Sequence, residues 1–378
     1  MKTKTAILAT ALGLALASSA GAQTTVLRLT GSTAFRGSVH DAIRQVMTNE
    51  TYAYFGAATL NSSTRANFLG TINGQSVLIQ VAWSGSAAGV QSVAKNLDVA
   101  FLPAATVGTT SGVQVTDTTT ETDKADAAFS DVFQASTAFT SPALVDNKVC
   151  VVPFVWIAND GAPATLTNVT PGLAQSLYTA QNIPLALFTG LTSDRTANTQ
   201  VYCLGRDPSS GTRITMTAES GLGAFATVFQ NSVTLNTGAD TISNPVPFPQ
   251  GTTVFADGDN GYSSGGGLAA ALAAKSGDGN VYLGYLGLGD ATATAIPGGA
   301  RALSWNGVPY SAAAVTEGQY TFWGYEHLFY LSSLDTTKKA IATTVKNQVA
   351  AVPGAAGLLL NSMNVSRVSD GAPVGADY

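Results

Sequence analysis

One unit recurs along this chain and restricts what it can fold into: a β-like run, a turn of Gly, Ser and Thr, then a helical pattern. Thr25 to Leu29 alternates, with Val26, Arg28 and Thr30 on one face and Leu27 and Leu29 on the other. Gly31-Ser-Thr-Ala-Phe35 follows, and Val39, Ile43 and Val46 then share one side of a helix. Val77 to Trp83 runs through Ser84-Gly-Ser-Ala-Ala-Gly-Val90 into a second helix, ending near Lys95. Thr199 to Leu204 runs through Gly205-Arg-Asp-Pro-Ser-Ser-Gly-Thr212 into a third, over Ile214 to Phe229. Ser263-Ser-Gly-Gly-Gly267 opens an Ala/Leu helix to Lys275. Strands that alternate with helices predict an α/β fold with largely parallel sheets.

The intervening segments fit that plan. Phe68 to Ile72, Asn73-Gly74 and Val77 to Trp83 predict a hairpin with a tight primed turn. Residues 99–124 are rich in Thr and Gly and predict an exposed hairpin or loop insertion. Ala127 to Ser130 is a short strand with Asp131 behind it, and Val149 to Ile157 is a long apolar strand. Thr170-Pro171 starts a helix, and a helix around Leu185 to Phe188 ends at Gly190. Val281 to Leu286 and Tyr320 to Leu331 read as β, and Thr336 to Val352 as the last helix.

Lys2 and Lys4, the apolar run Ala6 to Ala17 and the small residues Ala20-Gly21-Ala22 have the form of a secretory signal, with cleavage expected near Ala22-Gln23. The apolar run is too short to span a bilayer, so a periplasmic or secreted protein that is not membrane-embedded is expected. With Lys2 and Lys4 removed, 16 basic residues face 23 acidic ones, so nothing in the charge favours nucleic acid. An anion bound by such a chain needs local donors. Cys150 and Cys203 allow one disulfide in an oxidising compartment or two buried thiols. Only His40 and His327 are present, which leaves little for a histidine metal site or triad. His40 is expected on the exposed side of the first helix and His327 in aromatic packing. Asp257-Gly-Asp259 lacks the remaining ligands of a calcium loop and reads as a turn. No cofactor is expected.

Helix N-termini carry unpaired backbone N–H groups and a partial positive charge, which makes them anion sites. Any one of these turns can be an ordinary N-cap. Three of them with a placed Arg and Asp are harder to explain that way. In order along most of the mature chain, Gly31-Ser-Thr-Ala-Phe35, Gly85-Ser-Ala-Ala-Gly-Val90, Ala125-Asp-Ala-Ala-Phe-Ser-Asp131, Arg206-Asp-Pro-Ser-Ser-Gly-Thr212 and Tyr282-Leu-Gly-Tyr285 resemble the motifs of the periplasmic phosphate-binding proteins that feed ABC transporters. The Arg-to-Thr loop is the most specific of them.

That resemblance implies a two-lobed periplasmic-binding-protein fold of type II, each lobe a mainly parallel sheet flanked by helices, with the ligand in the cleft. Residues 23–149 plus 320–378 would form lobe I, with 99–124 inserted, and 150–319 lobe II. It implies a phosphate-binding set of Thr33, Phe35 through its backbone, Ser86, Asp131, Arg206, Ser210, Gly211 and Thr212. Either Thr33 or Ala34 could match the hydroxyl position of the first loop. An alternative alignment uses Asp98-Val-Ala-Phe-Leu-Pro103 in place of the segment ending in Asp131, but it leaves no Asp at the ligand position. Arg206 would offer a planar fork to two oxyanion oxygens. Asp131 would accept the proton of hydrogen phosphate and disfavour sulfate by about 3–5 kcal/mol. The expected function is capture of phosphate by a monomer for an ABC transporter permease, without catalysis. A non-transport secreted protein with a changed ligand and a phosphatase-like enzyme are the rival readings.

Overall fold

The computed structural model describes residues 23–108, 110–248 and 258–376. The expected signal (1–22) and Asp257 lie outside the described residues.

The first half of the chain opens with β1 (Thr25–Gly31), α1 (Arg36–Val46), β2 (Thr48–Phe55), β3 (Arg65–Ile72), β4 (Gln75–Trp83) and α2 (Ser86–Ala94). β1 pairs in parallel with β4, and on its other edge with a later strand, Ala127–Ser130. β3 and β4 form the expected hairpin, and Asn73 and Gly74 have φ of 51° and 79°, as a type I′ turn requires. β5 (Asp98–Phe101), β6 (Val113–Gln114) and β7 (Glu121–Lys124) come next. β5 and β7 pair antiparallel apart from the main sheet, and β6 adds to β2, so 99–124 includes the expected hairpin. The strand Ala127–Ser130 is β8.

β9 (Val145–Ala158) joins the two halves. Its residues from Val149 to Ala158 are all buried, so this strand is apolar on both faces rather than alternating. It pairs up to Pro153 with a late strand, Trp323–Tyr330, and from Phe154 onward with Val281–Gly287. Pro153 has no N–H to give to a ladder, and it sits where the strand changes partners.

The second half holds β10 (Asn168–Val169), α3 (Pro171–Ala180), β11 (Asn182–Pro184), α4 (Ala186–Thr189), α5 (Thr192–Ala197), β12 (Gln200–Cys203) and α6 (Gly211–Glu219). It continues with β13 (Asn231–Asn236), β14 (Thr241–Pro247), α7 (Gly265–Leu272), β15 (Lys275–Ser276), β16 (Val281–Gly287), α8 (Leu288–Asp290), β17 (Arg301–Trp305) and α9 (Ala312–Thr316). β12 and β16 are parallel. β18 (Trp323–Tyr330) and α10 (Thr336–Ala351) return to the first half, where β18 lies between β8 and β9. The main sheet runs β11-β12-β16-β9-β18-β8-β1-β4-β3-β2-β6, with β12-β16, β8-β1, β1-β4 and β2-β6 parallel and the other neighbours antiparallel.

Two helices are shorter than expected. α6 stops at Glu219 instead of reaching Phe229, because Gly221 and Gly223 take φ of 82° and 102°. α7 stops at Leu272, and Lys275 turns into a short strand beside β14. α4 ends at Gly190 in the left-handed region, as expected. Trp156 on β9 anchors the crossing, with ring centroids of Trp305 at 5.8 Å, Phe322 at 5.7 Å and Tyr178 at 5.9 Å. Burying each such ring contributes about 2–3 kcal/mol.

The possible disulfide is not formed. Cys150 and Cys203 are buried free thiols on β9 and β12. Cys203 Sγ instead donates toward Phe229 O at 2.8 Å. His40 also departs from expectation: it is fully buried, between Leu60 O at 3.0 Å and Trp83 Nε1 at 2.8 Å. α1 is covered there by the loop carrying Leu60, which its own helical pattern does not reveal. His327 is buried among Phe133 and Phe329, as expected of a packing residue.

Candidate functional site

Ligands of open α/β sheets bind outside the carboxyl ends of the parallel strands. Four such ends converge here. β1 ends at Gly31, β4 at Trp83, β8 at Ser130 and β12 at Cys203, and the segments that follow carry Thr33, Ser86, Asp131 and Arg206. Close approach at these ends demands glycine. A Cβ on Gly31 would lie 1.9 Å from Phe129 O, and one on Gly211 would lie 1.7 Å from Asp131 Oδ1.

Three helices point their first turns into this region. Phe35 caps α1 and is fully buried, so its backbone stands at the helix start as expected. Ser86 is the first residue of α2. Ser210 caps α6, its Oγ accepting from Arg213 N at 3.4 Å, and Gly211 and Thr212 begin that helix. The Ser210 hydroxyl hydrogen is still able to donate, so capping and ligand binding are compatible.

Asp131 is 1% exposed and is not a helix cap. Its carboxylate accepts from Ser86 Oγ, and Thr212 Oγ1 approaches its other oxygen at 3.4 Å. Burial pushes the Asp131 carboxyl above the usual range, while the Ser86 bond and the Arg206 charge pull it back. Asp98, which opens the segment of the alternative alignment, is exposed and paired with Lys124 at 2.6 Å.

Arg206 is 1% exposed and firmly held. Nε donates to Tyr262 O at 2.9 Å, and Nη2 donates to Ser263 O at 3.2 Å and Thr33 Oγ1 at 3.0 Å. Its own backbone N–H donates to Tyr285 Oη at 3.1 Å, and Gln230 Nε2 donates to its carbonyl at 3.0 Å. Thr33, and not Ala34, therefore supplies the hydroxyl of the first loop beside the guanidinium. Of the eight residues expected from the sequence, these contacts link Thr33, Ser86, Asp131, Arg206, Gly211 and Thr212; Ser210 adjoins them as the cap of α6, and Phe35 stands at the start of α1. The two halves also touch through the backbone, where Ala87 N donates to Ser209 O at 2.9 Å.

Other charged residues around the site gave no sequence signal. Arg36, at the first position of α1, is 6% exposed, and burial and the Arg206 charge lower its pKa while Asp290 raises it. Glu326 on β18 is fully buried, and burial first and Asp131 second raise its carboxyl well above the usual range. Its position in an aromatic run hides it. Asp259 is held by Arg213 and by Val228 N at 3.0 Å, a structural role. Among the described residues no cluster of His, Cys, Asp and Glu could hold a metal, and no helix is long and apolar enough to cross a membrane.

No family model matches this sequence, and no curated protein does. Solved structures do share its shape. A Clostridium perfringens protein described as a phosphate ABC transporter substrate-binding protein, solved with bound phosphate, aligns over 89% of this chain and 100% of its own, with TM-score 0.52 and 12% identity. An ABC-type phosphate transport receptor from Vibrio cholerae covers 88% of this chain and 99% of its own at TM-score 0.48 and 12% identity. PstS from Borrelia burgdorferi covers 85% and 92% at TM-score 0.37 and 12% identity. At these identities the likeness concerns the fold. With its two halves joined through β9 and β18, the chain has a two-lobed α/β fold, shared with the Clostridium perfringens protein.

Proposed function

We propose that this protein captures hydrogen phosphate between its lobes and delivers it to an ABC transporter permease. One observation carries the reading: a buried carboxyl, Asp131, faces the first turn of α6 within reach of Ser86, Thr212 and the Arg206 charge. A site of donors alone would take any oxyanion. A buried carboxyl among the donors selects an oxyanion that brings its own proton. Arg206 and the N–H groups of α1, α2 and α6 offset the anion's charge.

In this reading lobe I comprises 23–149 and 320–378 and lobe II 150–319, the protein is a monomer, and it works outside the inner membrane after cleavage near Ala22. β9 where it changes partners, and the segment entering β18, form the hinge. Thr33–Arg206, Asp131–Thr212 and Ala87–Ser209 are contacts that closure would make and opening would break.

Calorimetric titration of phosphate-stripped protein tests the reading. Tight phosphate binding without a sulfate response is expected. Absence of heat and of any thermal shift with phosphate would remove phosphate as the ligand.

A further inference from the structure

α7 begins with three glycines, Gly265 to Gly267, beneath the cap Ser264, whose Oγ accepts from Gly267 N at 3.1 Å. A Cβ on Gly265 would lie 1.9 Å from Asp290 Oδ2 and 3.5 Å from Arg206 Nη1. A Cβ on Gly266 would lie 3.6 Å from Arg36 Nη2 and 3.9 Å from Asp290 Oδ1. The first turn of α7 therefore faces two arginines and an acid. Arg36, although 6% exposed, leaves Nη1 without a hydrogen bond, and Asp290 Oδ2 is equally unpartnered. No ion pair joins the two, although each charge bears on the other. Ser32, in the loop before Arg36, adds a buried hydroxyl with no partner.

Unpaired buried polar atoms are costly, and a charge that lacks a partner costs more. None of the eight residues of the phosphate set satisfies these atoms. We propose that Arg36, Asp290 and the first turn of α7 form a second subsite beside Arg206, and that the ligand is a phosphomonoester, taken as the monoanion that still brings Asp131 a proton, whose substituent carries a hydroxyl. The inference rests on the phosphate reading, which places the phosphoryl group against Arg206, Ser86 and Asp131. A hydroxyl accepts from Arg36 and donates to Asp290 at once. A second anionic group would suit Arg36 and be repelled by Asp290, and an amine would suit Asp290 and be repelled by Arg36. The backbone N–H groups of Gly265 and Gly266 favour further acceptor oxygens on the same substituent. Burial, offset by Arg36 and Arg206, raises the Asp290 carboxyl above the usual range, and a donor from the ligand would relieve it.

The test is parallel titration of the stripped protein with inorganic phosphate, methyl phosphate and glycerol 3-phosphate, on wild type and Asp290→Asn. Methyl phosphate fills the phosphoryl site without a hydroxyl. Glycerol 3-phosphate is expected to bind at least about tenfold more tightly than methyl phosphate. That ratio should fall to about threefold or less in Asp290→Asn, and a ratio taken within one variant does not depend on how much of it is folded. Equal binding of the two esters, their exclusion while phosphate binds, or an unchanged ratio in Asp290→Asn would overturn the second subsite and leave the phosphate reading standing. Failure of all three compounds to bind wild type would overturn the phosphate reading itself.

Discussion

Arg206 Nη2 donates to Thr33 Oγ1 at 3.0 Å, between side chains 173 positions apart that belong to the two halves of the sheet. The bond depends on the guanidinium shape, because Nε is committed to Tyr262 O at 2.9 Å on the adjoining edge. A lysine keeps the charge and loses this fork. Arg206→Lys should weaken phosphate binding by about 100-fold, near 3 kcal/mol, as measured by calorimetry. Its melting temperature should move by only a few degrees, separating lost affinity from lost fold.

Asp131→Asn tests discrimination. The amide is neutral and gains an N–H donor, so the like-charge penalty against sulfate disappears. The phosphate-to-sulfate affinity ratio should fall by about 100-fold or more, mainly through weaker phosphate binding and a new sulfate response. An unchanged ratio would place the source of selectivity elsewhere.

The candidate site was legible in the sequence where it consists of short turns at strand ends. Gly31 to Phe35, Ser86 and Arg206 to Thr212 are contiguous, and their Gly, Ser and Thr content is itself the chemistry. Asp131 was singled out because it closes a short strand in a resembling motif and stands at a fitting distance before the Val149 strand. Arg36 and Asp290 escaped, since one looks like a surface residue of a helix and the other follows an apolar strand. Arg36 is buried and Asp290, half-buried, has its Oδ2 enclosed by elements distant in sequence. His40 was misplaced for the same reason, because Leu60 and Trp83 cover it from outside its helix. The helix after Thr212 was drawn too long because its apolar pattern continues past Gly221, where the backbone turns left-handed.

Gly85 tests closure. Its φ is +98°, and a Cβ would lie 2.7 Å from Ser209 O, the atom that Ala87 N–H reaches from the other half. Alanine would be strained in this conformation and would clash across the cleft, at a cost of about 1–3 kcal/mol. Gly85→Ala should reduce phosphate affinity by about tenfold to 100-fold. Small-angle scattering with saturating phosphate should show less compaction than wild type.

Asp370 introduces a pH dependence unrelated to the ligand. Its Oδ2 accepts from Phe133 N at 2.9 Å and its Oδ1 has no partner. Burial raises the carboxyl to about 6 from 3.8, against the Ser136 and Phe133 bonds. Raised in the folded state, it favours folding fully below the unfolded value and loses that contribution as pH rises through about 6. Asp370→Asn keeps an acceptor for Phe133 N and removes the titration. The variant should be more stable than wild type at pH 7, by about 2 kcal/mol in urea unfolding, with the advantage vanishing near pH 4.

His40 works in the opposite direction. Nδ1–H donates to Leu60 O and Trp83 Nε1 donates to Nε2, which fits only the neutral ring. Burial first, then the Arg36 charge, lowers its pKa from 6.5 to about 3, against the Leu60 bond. A base depressed in the folded state stabilises the protein above its unfolded value and loses that contribution as pH falls toward the folded one. Between pH 7 and pH 5 wild type should therefore lose about 2 kcal/mol relative to His40→Gln, which does not titrate. Asp370 gains over much of the same interval, so the wild-type curve alone would look flat. Urea unfolding of wild type, His40→Gln and Asp370→Asn at pH 5, 6 and 7 separates them. The His40→Gln minus wild-type difference should grow in favour of the variant as pH falls, and the Asp370→Asn difference should shrink. A His40→Gln difference that stays constant with pH would show that His40 takes up its proton within the fold as readily as in the unfolded chain and that Trp83 does not hold it neutral.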